Sequence, residues 1–266
     1  MRFIFKTKYD QDINVSRHSG DRFWYSLLII TMIAMPLLID DFYLGEISYI
    51  CILAIAGIGL MILSGYTGLA SLGHAAFLGI GAYTHAFLLT HGVPFIASVP
   101  IVVVVSFLVG AIIGIPILRL SGMYLAIATL ALCFIAEHVF IRWEHFTGGN
   151  RGLEVPSEEI FGISLTNSTV FYYLCLSFLI LSMFAAINIL RSPTGRAFVA
   201  IRDSEIAAQS LGVNLGIYKA LSFAISGAFT GLAGALLAHY IGYLAPDIFN
   251  IFLSLTLLLL IVVGGM

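Results

Sequence analysis

Ionisable side chains are rare inside the long apolar runs of this sequence, and those present are the first candidates for chemistry. They are Glu137, His138, His74, His85 and His239. A charged group within such a run is costly and often marks a functional site. Glu137 and His138 lie near the end of their run, where reaching the interface is the simpler interpretation. No HExxH motif, metal-ligand spacing or Ser-His-Asp arrangement is present, so the sequence predicts no catalytic residue and no metal centre.

A glycine-rich stretch at 63–83, LSGYTGLASLGHAAFLGIGAY, is the second candidate. If it is a broken helix at membrane depth, its freed backbone groups must be satisfied by protein or line a water-filled cavity. A half-helix N-terminus of this kind can face an anionic group such as a carboxylate. The alternative is a turn that joins two ordinary spans, with glycines for close packing. The candidate substrate path consists of Ser64, Tyr66, Thr67, Ser71, His74 and Tyr83.

Another glycine-rich motif, Thr-Gly-Gly-Asn-Arg-Gly, occupies residues 147–152. Backbone amides of such a turn could cradle a phosphate. Because no strand precedes the motif and no P-loop Lys-Ser/Thr follows it, the sequence favours a structural turn or gate in an external loop.

The stretch 191–219 is the longest polar break in the second half of the chain. Pro193 and Gly195 end the preceding apolar run, and Gly212 with Asn214 favours a helix end. Between them the spacing predicts one short amphipathic helix that docks into another protein at the membrane surface. Its apolar side is predicted to hold Ala197, Val199, Ala200, Ala207, Ala208 and Leu211. A helix resting on lipid would carry bulkier apolar residues.

Composition fixes the class of protein that must position these residues. The chain of 266 residues is 60% hydrophobic and only 10% charged, which is typical of a polytopic membrane protein. The fold class is therefore all-α, with about eight transmembrane helices and a candidate broken helix at 63–83, across the junction of two runs. The apolar runs lie at 23–39, 43–63, 68–90, 97–118, 121–141, 170–190, 217–242 and 250–265.

Charge distribution predicts the orientation of the spans. With a cytoplasmic N-terminus, ten of the twelve Lys and Arg residues fall on the inner side, as the positive-inside rule requires. Residues 1–22 are then a cytoplasmic arm, and 23–266 are a transmembrane domain that includes an external loop at 142–169 and a cytoplasmic loop at 191–219. The basic arm is interpreted as an anchor of the first span and not as a nucleic-acid contact.

Four stretches, in this order and spacing, resemble the permease subunits of branched-chain amino acid ATP-binding cassette (ABC) importers, the LivM-type family. They are the stretches at 63–83, 147–153, 192–236 and 238–250, and the resemblance runs from about residue 43 to the end. The glycine-rich segment and further helix that follow in this family are absent after Met266. We therefore expect a C-terminally incomplete version of a longer permease.

The resemblance implies a function and a set of partners. The segment 205–212 is similar to the Glu-Ala-Ala…Gly loop through which importer permeases engage their ATPases. The ATPase-coupling residues are then Arg196, Arg202, Asp203, Glu205, Ala207, Ala208 and Gly212. No Walker motif is present, so the chain is expected not to be an enzyme and to need no cofactor. The expected partners are cytoplasmic ABC ATPases, a homologous second permease, an external amino-acid-binding protein and membrane lipid, with no nucleic acid.

The expected function is the inward movement of branched-chain amino acids by alternating access across the bacterial inner membrane, with the N-terminus in the cytoplasm. A urea or short-chain amide permease of the same superfamily is the alternative within the class. A proton-coupled secondary transporter that uses Glu137 or His74 is the alternative from another class.

Overall fold

The computed structural model of the chain describes residues 19–117, 120, 122–156, 159–160 and 163–264. Two compact units are distinguished within the chain, 1–44 and 45–266. Most of the predicted N-terminal arm lies outside the described residues, as do Arg119 and the last two residues. The predicted division of the chain at residue 22 stays a prediction.

In the first unit, helix α1 runs from Ser19 to Leu38 and contains Pro36. Helix α2, Asp41–Leu60, begins in this unit and continues into the second. Asp41 lies in its first turn, where a carboxylate interacts favourably with the helix dipole.

The second unit contains nine further α-helices in its described part. A π-helical turn, Met61–Tyr66, extends α2. The α-helices that follow are α3 (His74–Thr90), α4 (Phe95–Ile117), α5 (Met123–Arg142), α6 (Glu144–Thr147), α7 (Ser168–Arg191), α8 (Pro193–Asp203), α9 (Glu205–Ser210), α10 (Leu215–Ile241) and α11 (Ile251–Gly264).

Strands are short and peripheral. The part of the chain that the structure describes has four strands, β1 (Leu153–Glu154), β2 (Glu159–Ile160), β3 (Ile163–Ser164) and β4 (Tyr243–Leu244). β1 pairs antiparallel with β4, and β2 pairs antiparallel with β3. The fold is therefore all-α, as predicted.

Among the described residues, five helices are long and apolar enough to cross a membrane. They cover Asp41–Tyr66, Phe95–Pro116, Met123–Arg142, Ser168–Arg191 and Leu215–Ile241. Apolar helices over Ser26–Leu38 and Ile251–Gly264 are shorter, and α3 has 17 residues. The prediction of a multi-pass, all-helical membrane protein is confirmed, whereas the number of eight spans stays a prediction.

The core of the second unit forms where α10 packs against α3 and α4. Glycines bring these backbones together: a Cβ added to Gly110 would lie 2.7 Å from the Phe223 carbonyl oxygen. A Cβ added to Gly227 would lie 2.9 Å from the Ser106 carbonyl oxygen. The small-residue motifs at these positions therefore serve close packing within this chain, as membrane helices commonly use them.

Residues 147–152 form a hydrogen-bonded turn at the end of the bundle where β1 meets β4. The Thr147 hydroxyl lies 2.5 Å from the Phe140 carbonyl oxygen and 2.9 Å from that of Trp143, donates its one proton between them, and accepts from the Gly149 amide at 3.1 Å. The Tyr243 hydroxyl donates to the Arg151 carbonyl. These bonds favour the structural turn over the phosphate cradle.

Candidate functional site

The glycine-rich stretch leaves helical geometry between Tyr66, where the π-helical turn ends, and His74, where α3 begins. Local bonds satisfy the first half of this connection. The Thr67 and Leu69 amides donate to the Ile62 and Leu63 carbonyls at 3.2 and 3.1 Å. The Ser64 and Thr67 hydroxyls donate to the carbonyls of Leu69 and Ile62, each at 3.1 Å. Ser64 and Thr67 therefore serve the turn itself.

The second half of the connection rises to the middle of the bundle. His74 Nε2 lies 2.7 Å from Ser226 Oγ. Ser226 is near the centre of α10, which runs from Leu215 to Ile241. At about 1.5 Å per residue it is about 16 Å from the first residue of that helix. An irregular backbone thus reaches mid-span, so the structure supports the broken helix over an ordinary surface turn.

Hydroxyl groups from three other helices hold the first residues around the α3 N-terminus. Thr129 of α5 accepts from the Leu72 amide at 2.9 Å, and Ser254 of α11 accepts from the Ala75 amide at 2.9 Å. Ser226 of α10 contacts the His74 ring, as described above. We call Ser71, His74, Thr129, Ser226 and Ser254 the mid-span cluster; all five are fully buried.

The chemistry of the mid-span cluster is neutral hydrogen bonding. Ser71 Oγ lies 3.1 Å from His74 Nδ1 and accepts from the Gly73 amide at 3.4 Å, so both ring nitrogens of His74 have partners. A Cβ on Gly73 would lie 2.5 Å from the Thr129 carbonyl oxygen, so a larger residue does not fit. Such a helix start, with a partial positive charge and exchangeable hydroxyl partners, suits a polar or anionic ligand group.

The other predicted path residues lie elsewhere. Tyr66 is half-buried and packs with a separate apolar cluster around Phe198. Tyr83 is fully buried with its ring centroid 5.0 Å from that of Phe140, and its hydroxyl has no hydrogen-bond partner among the described residues. The structure therefore brings Ser71 and His74 into one site and leaves the roles of all six residues as predictions.

The remaining ionisable residues do not join the mid-span cluster. His85 Nδ1 lies 2.9 Å from Ser98 Oγ, and its ring centroid lies 5.0 Å from that of His239. Glu137 is half-buried, whereas His138 is exposed on α5. Within the described residues, no three His, Cys, Asp or Glu side chains are grouped so that they could hold a metal ion.

The polar break at 193–212, which we call the docking segment, consists of two helices and not one. Ser204 is extended, with φ of -163°, and separates α8 from α9. Its hydroxyl accepts from the Ala207 amide at 3.3 Å and thereby caps α9. The single predicted helix is therefore wrong, because a serine before Glu205 provides a better start for a new helix than an interior position.

The break also changes which residues face inward. Ala197 and Ala208 are buried, as predicted for the apolar side, whereas Val199, Ala207 and Leu211 are exposed. The buried side of α8 is completed by Phe198 and Ile201. The predicted apolar side was thus only partly right, since a turn at Ser204 interrupts the helical periodicity.

Gly212 ends the docking segment as predicted. Its φ of +87° is in the left-handed region that glycine adopts most easily. The Gly212 amide donates to the Gln209 carbonyl at 3.0 Å, and the Val213 amide donates to that of Ala208 at 3.0 Å. Asn214 has a different role, since its Oδ1 caps α10 by accepting from the Ile217 amide at 3.3 Å.

Two polar contacts join the docking segment to the transmembrane helices. Arg202 Nη1 donates to the Gly65 carbonyl at 2.6 Å, and the Arg202 stem packs on Gly68. Glu205 Oε1 lies 2.7 Å from Lys219 Nζ on α10, with the Lys219 side chain 5% exposed. Arg196 and Asp203 are exposed. The structure thus links the two stretches that the sequence singled out separately.

Sequence reasoning missed three of the five cluster residues, Thr129, Ser226 and Ser254. Each is a single hydroxyl residue within a long apolar run. Small hydroxyl residues are frequent in membrane helices because they allow close packing, so their presence alone does not signal a site.

Comparison with known proteins identifies relatives over almost the whole chain. The family described as "Branched-chain amino acid transport system / permease component" matches residues 42–266. The high-affinity branched-chain amino acid transport system permease protein LivM of Salmonella typhimurium is 35% identical over 265 residues, and that of Escherichia coli is 34% identical over 265 residues. Each alignment covers 90% of this chain but 62% of the relative. The chain therefore spans about three fifths of the length of these relatives. No solved structure matches it.

Proposed function

We propose that this chain, which belongs to the family of branched-chain amino acid transport system permease components, is the permease subunit of an ABC importer. It would move branched-chain amino acids inward across the bacterial inner membrane by alternating access. Hydrolysis of ATP would take place in separate cytoplasmic subunits, because the sequence contains no Walker motif.

The observation that carries this proposal is the docking segment and its attachment to the transmembrane helices through Arg202 and Glu205. A permease without its own nucleotide site must receive the energy of ATP hydrolysis through its surface. In the docking segment, Ile206 is 80% exposed and Leu211 82% exposed, although both are large apolar residues. Exposed apolar residues at a polar surface are typical of a protein interface. Arg196, Ala207 and Gly212 are exposed beside them and complete the proposed docking face.

The mid-span cluster is the proposed site for the polar end of the substrate. A carboxylate is a favourable partner for the amides at a helix N-terminus. It would take the places of the Thr129 and Ser254 hydroxyls on the Leu72 and Ala75 amides, which those hydroxyls occupy here. Ser71 and His74 would orient it from the α3 side, and this is the role proposed for the predicted path at these two positions.

An apolar cavity nearby favours an amino acid over urea or a short-chain amide. It has a volume of about 370 Å³ and lies between α3, α4 and α5. Its lining includes Ile80, Val105, Leu132, Ile135, Val139 and Phe140. Ile80 is on α3, within two turns of His74, and the cavity opens at the surface of the bundle, where Ile135 and Val139 are exposed. A branched aliphatic side chain would bury apolar area there, whereas urea would not.

Orientation and partners complete the proposal. The docking segment and Gly65 lie at one end of the bundle, and the paired strands β1 and β4 lie at the other. The excess of Lys and Arg supports a cytoplasmic position for the docking end, where two ATPases would bind. The opposite end would meet an external binding protein. Exposed apolar faces of α4, α5 and α7 would contact lipid or a homologous second permease.

The test is co-purification of the chain with the proposed ATPases, second permease and binding protein from the same organism, followed by an ATPase assay. We expect L-leucine with its binding protein to stimulate hydrolysis, and urea to have no effect. An Ala207→Glu variant places a charge on the docking face and should abolish ATPase co-purification. Ser210→Glu, at the end of α9, is the control that tests whether an added charge alone is enough to abolish co-purification. Intact co-purification of Ala207→Glu would overturn the proposal for the docking face.

The rival from another class makes a different prediction. A proton-coupled transporter would accumulate substrate in liposomes that contain this chain alone, driven by a proton gradient. His74 is poorly suited to carry that proton, because it is fully buried and both of its ring nitrogens are hydrogen-bonded. Proton-driven leucine uptake without ATPase subunits, lost in Glu137→Gln, would favour the rival.

A further inference from the structure

The docking segment makes two contacts, each with a different transmembrane element. These two elements also contact each other, at the mid-span cluster. Arg202 binds the end of the π-helical turn through the Gly65 carbonyl, at 2.6 Å. Glu205 binds α10 through Lys219, at 2.7 Å. The segment from Gly65 to His74 and the helix from Lys219 to Ser226 then converge, since His74 Nε2 lies 2.7 Å from Ser226 Oγ. The contacts therefore form a closed ring.

We infer that Arg202 and the Glu205–Lys219 pair are positioning residues that couple the docking segment to the mid-span cluster through this ring. The inference rests on the proposed function for what is coupled, namely ATPase binding at one end and substrate binding at the other. It goes beyond that function by assigning the coupling to three named side chains and two separate paths.

The first path is short and has little freedom. From Gly65 the chain reaches His74 through a connection whose backbone is fixed by bonds to Ile62, Leu63 and Thr129. The Arg202 stem covers Gly68 at the start of this connection, where a Cβ would lie 3.4 Å from Arg202 Cγ. A shift of the Arg202 backbone would therefore move the Gly65 carbonyl and, through the connection, the His74 ring.

The second path is a rigid helix. Lys219 and Ser226 lie on α10, about two turns apart. Lys219 is 5% exposed and Glu205 42% exposed, so breaking their contact would leave a buried ammonium group without its carboxylate. A movement of α9 that keeps this pair must therefore take the inner end of α10 with it.

Ser204 is the element that allows the two paths to respond separately. It lies between Arg202 on α8 and Glu205 on α9, and its extended backbone belongs to neither helix. A ligand that replaced Ser226 as the partner of His74 would release the first path from the second. The angle between α8 and α9 would then change across Ser204. By thermodynamic reciprocity, a partner that fixes this angle would change the affinity of the mid-span cluster for its ligand.

The first experiment uses the assembled transporter in membrane vesicles and measures the ratio of leucine-stimulated to basal ATPase activity. Arg202→Met keeps the stem that covers Gly68 and removes the donor to the Gly65 carbonyl. We expect the ratio to fall about fivefold or more, the lower end of typical coupling. Arg202→Lys retains a donor and should recover most of the ratio. Arg191→Met removes an exposed positive charge before the docking segment and should leave the ratio unchanged.

The amount of co-purified ATPase is measured on the same samples. An unchanged ratio in Arg202→Met would overturn the inference, and so would a loss of ATPase co-purification, since Arg202 would then be a docking contact. If the unaltered chain neither binds ATPases nor responds to leucine, the proposed function fails first. The two failures are therefore distinguishable.

The second experiment is a double-mutant cycle on the second path. Glu205→Gln and Lys219→Met each remove one member of the pair, and Lys219→Met also removes the buried charge, so that folding is retained. If the pair acts as one unit, the double variant should lose no more of the ratio than either single variant. Losses that multiply in the double variant would show independent roles and would contradict the ring.

Discussion

The α3 N-terminus and the α9 N-terminus meet the same requirement, partners for their first amides, in opposite ways. Around the start of α3, the Leu72 and Ala75 amides bind Thr129 and Ser254, which are 57 and 179 residues away. At the start of α9, the Ala207 amide binds Ser204, three residues away. A helix capped by distant residues moves only if the bundle moves with it. A helix capped by its own neighbour keeps its structure while it moves as a unit, which is what the proposed docking role requires.

This comparison predicts that substitutions around the start of α3 affect global stability, and the largest effect is expected at Gly73. A Cβ there would lie 2.5 Å from the Thr129 carbonyl oxygen, a backbone atom that cannot rotate away. Gly73→Ala should therefore destabilise the chain by about 1–3 kcal/mol, as overpacking does. Thermal unfolding of the detergent-purified chain measures this loss.

Gly45→Ala is the matched control for Gly73→Ala. A Cβ added at Gly45 would lie 3.9 Å from the nearest side-chain atom, Tyr240 Cε2, and Gly45 is within helix α2. The substitution should be neutral or stabilise by about 0.5–1 kcal/mol, since alanine favours a helix more than glycine does. Equal losses for the two variants would mean that close contact around the α3 start is not what limits stability.

An effect of similar size is expected at His74. His74→Ala leaves the Ser71 and Ser226 hydroxyls without their shared partner in a fully buried site. Unsatisfied buried polar groups cost about 1–3 kcal/mol, so both unfolding temperature and leucine uptake should fall. His138→Ala removes an exposed histidine of α5 and should change neither. Wild-type uptake by His74→Ala would remove the mid-span cluster from the proposed substrate site.

A smaller and purely local effect is expected at Ser204. Ser204→Ala removes the α9 cap, and a lost cap costs about 0.5–2 kcal/mol of helix stability. Because this cap belongs to a surface segment, the loss should appear as faster hydrogen exchange at the Ala207 amide, with little change in global unfolding. Ser210→Ala, which removes a bond from the Ser210 hydroxyl to the Ile206 carbonyl within α9, is the control. A large drop in global stability would show that α9 is not an independent unit.

The difference between the two regions also explains what the sequence could predict. Helix positions depend on local apolar length, so the run at 170–190 corresponds to Ser168–Arg191 and the run at 217–242 to Leu215–Ile241. The position of the docking segment could be predicted because it depends on two features of the local sequence, the polar composition of the segment and the glycine at its end. Its division at Ser204 was missed although the capping serine was visible in the sequence.

The mid-span cluster could not be predicted in the same way. Ser71 and His74 stand in a conspicuous glycine-rich stretch, but their partners come from α5, α10 and α11. Nothing local distinguishes Thr129, Ser226 or Ser254 from a hydroxyl residue that only allows close packing. Only the packing of α3 against these helices selects them, and that is a property of the whole bundle.

The smallest effect on stability is expected at Ile206. Substitution of this residue is also the sharpest test of the comparison. This side chain is 80% exposed, so Ile206→Ser should change the free energy of unfolding by no more than about 0.5 kcal/mol. If Ile206 is an anchor of the docking face, the same change should weaken ATPase co-purification about fivefold or more, as for an interface residue that contributes over about 1 kcal/mol. Val263→Ser on α11, where valine is 84% exposed, is the control and should leave co-purification intact. If Ile206 instead rests on lipid, Ile206→Ser would leave the amount of co-purified ATPase unchanged. That result would keep α9 a locally capped unit but assign its exposed face to the membrane.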